Sequence, residues 1–216
     1  MNALHLVKSG FITLAVVAML SGCKTPGTMG VGGVYVTRST CPQVGIPAGT
    51  GDITLFNPPG RTEAAAIDVV ATITNLRASC SEDAAYVVSI ASFDVVATRR
   101  DAGEARQVTL PYYNVVAQGG NDIVAKKIGY VALNFPAGSV RAQTSAQATG
   151  RVSRSAVALP EDVYRELTRN RKAGDPDAAV DPLSDPKIRD AVARATFEQL
   201  IGFQLTQEQL RYNATR

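Results

Sequence analysis

Apolar and polar residues alternate with a period close to two through the middle of the chain, from about residue 34 to residue 158. Between residues 67 and 74 the odd positions hold Ile, Val, Ala and Ile, whereas most of the even positions are polar. A period of two is typical of a half-buried β-strand. The same alternation predicts further strands at residues 33–37, 50–55, 86–98, 106–117, 124–135 and 140–157.

Turn-forming residues separate these strands, and no helical segment comes between them. Short strands at such spacing predict an immunoglobulin-like antiparallel β-sandwich over residues 34–158, and they argue against a parallel α/β sheet. A phase change at Ser92 and Phe93 predicts a bulge. The charged segment 99–104 and the Gly-Gly-Asn-Asp segment 119–122 predict two hairpin turns. Pro111 cannot donate a ladder hydrogen bond, so we expect it at an edge or a bulge.

The composition changes at Pro160, and residues 159–216 predict a C-terminal α-helical appendage to the mainly β domain. Pro160, two acidic residues in the first turn and three basic residues before Gly174 indicate a helix that ends at this glycine. A second helix is expected to begin at Pro186. Residues 197–205 then alternate like a strand that returns to the sandwich, and a capping box at 206–209 indicates a terminal helix.

The N-terminus has the three parts of a secretory signal: Lys8, an apolar run over residues 11–20, and the small residues Ser21 and Gly22 before Cys23. Leu20-Ser21-Gly22-Cys23 resembles the lipobox of bacterial lipoproteins. This resemblance implies that signal residues 1–22 are cleaved after Gly22, that the Cys23 sulfur carries diacylglycerol, and that its amino group takes a further acyl chain such as palmitate. An ordinary signal peptide and an uncleaved anchor helix remain the alternatives.

Residues 23–33 are rich in glycine and predict a flexible tether behind the lipidated cysteine. Lys24 stands where, in this class, an aspartate would favour retention in the inner membrane, so we expect the periplasmic face of the outer membrane. Residues 201–206 and 209–213 resemble the ending of uncharacterised envelope lipoproteins of Gram-negative bacteria. That resemblance implies no activity.

Cys41 and Cys80 are the other two cysteines of the chain. An exported protein meets an oxidising compartment, so we expect a disulfide between them. A reactive dithiol is the alternative, although the C-x-x-C spacing that lowers a thiol pKa is absent from the sequence.

The composition excludes several classes of chemistry. His5 is the one histidine of the chain and lies in the signal segment, so the mature protein would have no Ser-His-Asp triad and no histidine metal ligand. The 22 basic and 19 acidic residues nearly balance, which does not indicate nucleic-acid binding. We expect no cofactor, no metal site and no catalytic residues.

Three patterns in the sequence are candidate sites. Ser184 and Lys187 form an S-x-x-K sequence, but the S-D-N and K-T-G motifs that accompany it in β-lactamases are missing from the sequence. Four aspartates between residues 175 and 185 lack the spacing of a calcium loop. Arg165, Arg169 and Lys172 would align on one helical face, either as a contact for anionic lipid or polymer or as charges that suit a helix C-terminus.

These observations predict a non-enzymatic, lipid-anchored periplasmic subunit that binds the membrane through its lipid and another envelope protein through its domain. The alternative is a module that binds a small ligand or glycan, which requires a concave pocket with convergent polar groups. A hydrolase that works without histidine is a third, less favoured hypothesis, and it requires carboxylates or a Ser-Lys pair with strongly perturbed pKa values.

Overall fold

The computed structural model describes residues 39–172 and 174–215. By its contacts the chain divides into two units, one of residues 1–34 with 170–178 and one of residues 35–169 with 179–216. The described part of the first unit consists of turns, in which Arg171 Nε lies 3.6 Å from Asp177 Oδ2. All described strands and helices belong to the second unit.

Eight strands are found within the described residues: β1 (Gln43–Gly45), β2 (Asp52–Phe56), β3 (Ile67–Glu82), β4 (Tyr86–Arg99), β5 (Arg106–Gln118), β6 (Asp122–Phe135), β7 (Arg141–Ser153) and β8 (Phe197–Phe203). They form two four-stranded sheets, of order β1-β8-β5-β6 and β2-β3-β4-β7. The β1–β8 pair is parallel, and the other pairs are antiparallel. The predicted β-sandwich is confirmed.

The helices of the described residues are α1 (Arg154–Val157), α2 (Glu161–Thr168), α3 (Pro186–Arg194) and α4 (Gln207–Thr215), with single 3₁₀ turns at Ala64–Ala66 and Pro182–Ser184. The four α-helices follow β7 in the chain, as expected for a C-terminal helical appendage. Segment 197–203 leaves this helical region and forms β8, which lies between β1 and β5. Strand β8 is therefore far from β1 and β5 in sequence but adjacent to both in the sheet.

The core lies between the inward faces of the two sheets. Along β4 every second residue from Val87 to Arg99 is buried, so the period of two seen in the sequence corresponds to one face of the strand. The larger apolar cluster contains Ile53, Val69, Phe93, Val95, Leu110, Leu133, Phe135, Ile201 and Phe203. A smaller cluster contains Val87, Val116, Val152, Val157 and Phe197.

The expected bulge is present, but on the partner strand. Ser92 pairs with Arg77 and Asp94 pairs with Thr74, so the two residues between Thr74 and Arg77 lie opposite Phe93 alone. β3 therefore continues past Asn75, which takes a φ of 52°, instead of ending there. The phase change in β4 is only apparent, because small residues hold inward positions 89 and 91 while larger apolar residues point outward.

The predicted hairpin at 99–104 is wrong. β4 and β5 belong to different sheets, so this segment crosses from one sheet to the other. The predicted turn after Gln118 does join paired strands, since Gln118 pairs with Asp122. Gly119 and Gly120 have φ values of 62° and 85° there, a backbone conformation that glycine adopts at little cost.

Two further predictions about element ends are corrected. The strand predicted over residues 140–157 ends at Ser153, and residues 154–157 form α1. The helix that begins after Pro160 ends at Thr168, well before Gly174. Its apolar stripe ends at Leu167, and the polar residues that follow have no apolar side chain to pack a further turn.

Candidate functional site

Strand β6 combines a free edge with exposed apolar side chains. It lies at the end of its sheet, and among the described residues it pairs with β5 alone. Its large apolar side chains Ile123, Val124, Ile128 and Tyr130 are 65%, 52%, 43% and 69% exposed. An edge strand offers unpaired backbone N–H and C=O groups to another chain, so this surface suits strand pairing.

The outward side chains of β6 form a continuous stripe. Alternation along the strand places Lys126, Ile128 and Tyr130 on the outer face, and we call these three residues the β6 stripe. Val124 lies at a bulge, because Val116 pairs with Ala125 and Ala117 pairs with Ile123. The Lys126 Nζ lies 5.9 Å from the centroid of the Tyr113 ring on the neighbouring strand. Lys127 is exposed too, and it leaves the strand on the opposite face, across from Asn114. The stripe is thus cationic at Lys126 and apolar at Ile128 and Tyr130.

A cleft of about 930 Å³ lies between β2, the loop that follows it and α4. We call this site the α4 cleft, and its lining includes Thr54, Phe56, Arg61, Asp68, Arg106, Glu208, Arg211 and Tyr212. Its volume falls within the range of small-molecule sites, roughly 300 to 1,000 Å³.

A capping box begins α4, and Asn213 near the other end of the helix holds it over β2. The Thr206 backbone N–H donates to Oε1 of Gln209 over 2.9 Å, and the Gln209 N–H donates to Oγ1 of Thr206 over 3.2 Å, which is the predicted capping box. The Asn213 side-chain amide donates to the carbonyls of Gly49 and Asp52, both over 2.8 Å. The two Asn213 bonds fix the helix as one wall of the α4 cleft.

Aromatic and charged side chains line the same cleft. The rings of Phe56 and Tyr212 meet edge to face with centroids 5.0 Å apart. Arg106 Nη1 and Nη2 donate to the two carboxylate oxygens of Asp68 over 2.8 and 2.7 Å. These hydrogen bonds lower the pKa of Asp68 and raise the pKa of Arg106. The pair is therefore ionised over the neutral pH range.

Of the predicted site residues, Cys41 and Cys80 are brought together as a disulfide, with sulfurs 2.08 Å and Cα atoms 6.0 Å apart. This bond links the segment before β1 to the far end of β3. Gly22 and Cys23, the predicted cleavage and lipidation residues, lie outside the described residues.

The basic residues expected on one helical face do not form that face. Only Arg165 lies within α2, since Arg169 directly follows the last helical residue and Lys172 lies beyond it. Arg165 Nε is 3.7 Å from a Glu161 carboxylate, and an Arg169 nitrogen is 3.2 Å from Glu166. Because α2 ends at Thr168, Arg165, Arg169 and Lys172 do not align on one helical face, and the predicted contact with an anion loses its geometric basis.

The S-x-x-K sequence starts a helix. The carboxylate of Asp185 accepts the backbone N–H of Lys187 over 2.8 Å and caps α3. The Lys187 ammonium donates to Asp162 Oδ2 over 2.6 Å, and this bond raises the pKa of Lys187. A lysine with a raised pKa stays protonated at neutral pH and is a poor general base for Ser184. Among the described residues, no cluster of three potential metal ligands is found.

Among the buried polar side chains, Arg99 and Gln199 were not predicted from the sequence. Arg99 is 4% exposed, and its guanidinium donates to four backbone carbonyls in the β4–β5 and β6–β7 connections, both of which cross from one sheet to the other. Gln199 is fully buried and bonds Asn114. Both occupy inward positions of their strands, so continued alternation was the signal that could have identified them.

Comparisons with known proteins give no function for this chain. No protein-family model matches the chain, and no curated protein sequence matches it. Among solved structures it is similar to a DUF1425 family member from Shewanella sp. pv-4, with 11% sequence identity and a TM-score of 0.23. The similarity covers 53% of this chain and 98% of that one, and at this level it carries no argument about function. Within the described residues, no helix is long and apolar enough to cross a membrane.

Proposed function

We propose that this protein is a lipid-anchored lipoprotein of the periplasmic side of the outer membrane, and that it acts without catalysis as an assembly subunit for another envelope protein. The lipobox residues Leu20 to Cys23 support the anchor and the compartment. The disulfide between Cys41 and Cys80 agrees with an oxidising compartment. The observation that carries the interaction role is the exposed apolar edge strand β6.

Charge complementarity identifies the kind of partner. Lys126 and Lys127 leave β6 on opposite faces, so a strand added to this edge would meet a cation on either face. Acidic side chains next to apolar ones would satisfy both the lysines and the flanking residues of the β6 stripe. The partner is therefore an extended segment of an envelope protein that mixes acidic and apolar residues.

A second copy of this chain fits the edge less well. An antiparallel β6–β6 pair centred on the two lysines would place four ammonium groups close together. Like charges directly opposite each other destabilise strand pairs. The test must therefore distinguish self-association through β6 from binding of an acidic partner.

The test places a photo-crosslinking amino acid at position 128 of the full chain in cells, with position 96 as the control site. Val96 is exposed on the outer face of the other sheet, 37% against 43% for Ile128, so the two probes are similarly accessible. We expect an adduct from position 128 alone, and the crosslinked peptide should be an extended acidic and apolar segment of one protein.

Charge reversal provides the specificity control. The double substitution Lys126→Glu, Lys127→Glu should reduce the adduct at least about tenfold, because it turns two attractive contacts into repulsive ones. The single substitution Arg189→Glu on the exposed face of α3 should leave the yield of the adduct from position 128 unchanged. Equal adducts from both probe positions, or an adduct with a second copy of this chain, would contradict the proposed interaction.

The anchor has an independent test. Radiolabelled palmitate should be incorporated into the full chain, and Cys23→Ser should abolish the incorporation and release the protein from membranes, because two or three acyl chains are needed for stable attachment. Unchanged membrane association of the Cys23→Ser protein would contradict lipidation at this residue.

A further inference from the structure

Thr54 places an unpaired hydroxyl at the α4 cleft. Ile53 and Leu55 contact the larger apolar core cluster, so Thr54 points to the opposite side of β2, towards the cleft that it lines. The residue is 3% exposed, and its Oγ1 has no hydrogen-bond partner among the described residues. A buried hydroxyl without a partner destabilises a fold, so its presence at the wall of a large cleft points to a ligand that supplies the missing bond.

The charges around this hydroxyl are balanced. Arg106 is bonded to Asp68 in two places, and Arg61 Nε donates to both oxygens of Glu63 over 3.0 Å. On the helical side of the cleft, Arg211 and Glu208 bring one charge of each sign. Three arginines and two carboxylates line the cleft, and Glu63, which bonds Arg61 from outside the lining, brings the number of carboxylates to three. The cleft together with Glu63 therefore offers many charged donors and acceptors in equal numbers, which does not favour an ion over a neutral ligand.

Groups that both donate and accept suit such a lining. A hydroxyl has one donor hydrogen and two acceptor lone pairs, so it can accept from a guanidinium and donate to a carboxylate at the same time. Phe56 and Tyr212 add an aromatic surface to the polar lining. A ligand with many hydroxyls and an apolar face matches these features together.

We propose that the α4 cleft binds a short neutral saccharide, with the Thr54 hydroxyl as one of its hydrogen-bond partners. This ligand site is separate from the β6 stripe. It goes beyond the interaction role proposed above, because it gives the protein a small-ligand specificity of its own.

The experiment is a titration of the ¹⁵N-labelled full chain in detergent, followed by NMR, with maltotriose and chitotriose as neutral probes and phenyl phosphate as the anionic probe. At least one trisaccharide should bind and shift the amide signals of Thr54 and Tyr212. Thr54→Val should weaken that binding roughly three- to tenfold, the loss of one neutral hydrogen bond. Thr109→Val, a change of the same kind at an exposed position of β5, should not weaken it.

Several outcomes would overturn the assignment. Binding of phenyl phosphate alone, weakened by Arg211→Gln, would make the cleft an anion site. Absence of any shift with both trisaccharides would remove the saccharide from consideration. Binding that Thr54→Val leaves unchanged, with Thr54→Val folded, would show that the hydroxyl has no part in it. Should Thr54→Val fail to fold, shifts of the native protein located away from α4 would contradict the proposed site.

Discussion

The side-chain nitrogen of Gln199 donates to Asn114 Oδ1 and to the carbonyl of Ala148, both over 3.0 Å. Asn114 in turn donates to the carbonyl of Thr149 over 3.0 Å. Because β8 and β5 belong to one sheet and β7 to the other, these bonds tie the two sheets together.

Replacement of Gln199 by alanine should therefore destabilise the fold. The substitution removes two hydrogen bonds, leaves Asn114 Oδ1 unpaired and opens a cavity, for an expected cost of about 3 kcal/mol in the free energy of unfolding. Urea denaturation of the two proteins measures this difference from the transition midpoint.

Ser89 is the matched control in the same interior. It is fully buried, and its Oγ has no hydrogen-bond partner among the described residues. Ser89→Ala should leave stability unchanged or raise it slightly, since no bond is lost. Equal losses for Ser89→Ala and Gln199→Ala would mean that the cost reflects packing rather than the bonds between the sheets.

The alternation of apolar residues was sufficient to predict the sandwich, because one buried face per strand is what a period of two describes. It could not predict which strands pair. The segment after Arg99 resembles a hairpin in its composition, yet the strands on either side of it belong to different sheets. That choice depends on contacts between residues far apart in sequence.

The two candidate sites differ in how far the sequence could predict them. Of the exposed apolar residues of β6, Val124, Ile128 and Tyr130 were included in the strand predicted over residues 124–135, whereas Ile123 was not. Their exposure follows from the edge position of β6, which the pattern does not contain. The α4 cleft needs Phe56 and Tyr212 to meet across more than half of the chain. Sequence patterns over windows of about 11 to 18 residues carry no information on such a contact.

Arg99→Met should destabilise the protein by about 3 kcal/mol or more, because four carbonyl oxygens lose a charged donor in the interior. The guanidinium also lies over the Phe135 ring, 5.3 Å from its centroid. Thermal unfolding followed by circular dichroism gives the difference.

Arg189→Met on the exposed face of α3 is the control, and its effect should stay within about 0.5 kcal/mol. Arg99→Lys should recover only part of the loss, since an ammonium has three donors and cannot reach four carbonyls at once. Full stability of Arg99→Lys would show that charge alone matters at this position.

The disulfide between Cys41 and Cys80 closes a loop of 39 residues in sequence separation. Cys41→Ser should lower the stability of the oxidised protein by about 4 kcal/mol on the chain-entropy model. The measurement is urea denaturation with and without a reductant. The reductant should lower the free energy of unfolding of the native protein and leave that of the variant unchanged. Equal stability of the two proteins under oxidising conditions would contradict a stabilising role for this bond.

The Asp68–Arg106 pair predicts a dependence on pH. The pKa of Asp68 is lowered in the folded state by its hydrogen bonds to Arg106, so its contribution to stability is present above the ordinary carboxyl pKa of 3.8 and is lost as the pH falls through the lower folded value. Arg106 is partly exposed, and we expect Arg106→Gln to cost no more than about 1 kcal/mol at pH 7. That cost should shrink as urea denaturation is repeated at pH values below 4, because protonated Asp68 no longer pairs with the arginine. A cost that stays constant from pH 7 to pH 2 would mean that Arg106 stabilises the fold by packing rather than through the Asp68 carboxylate.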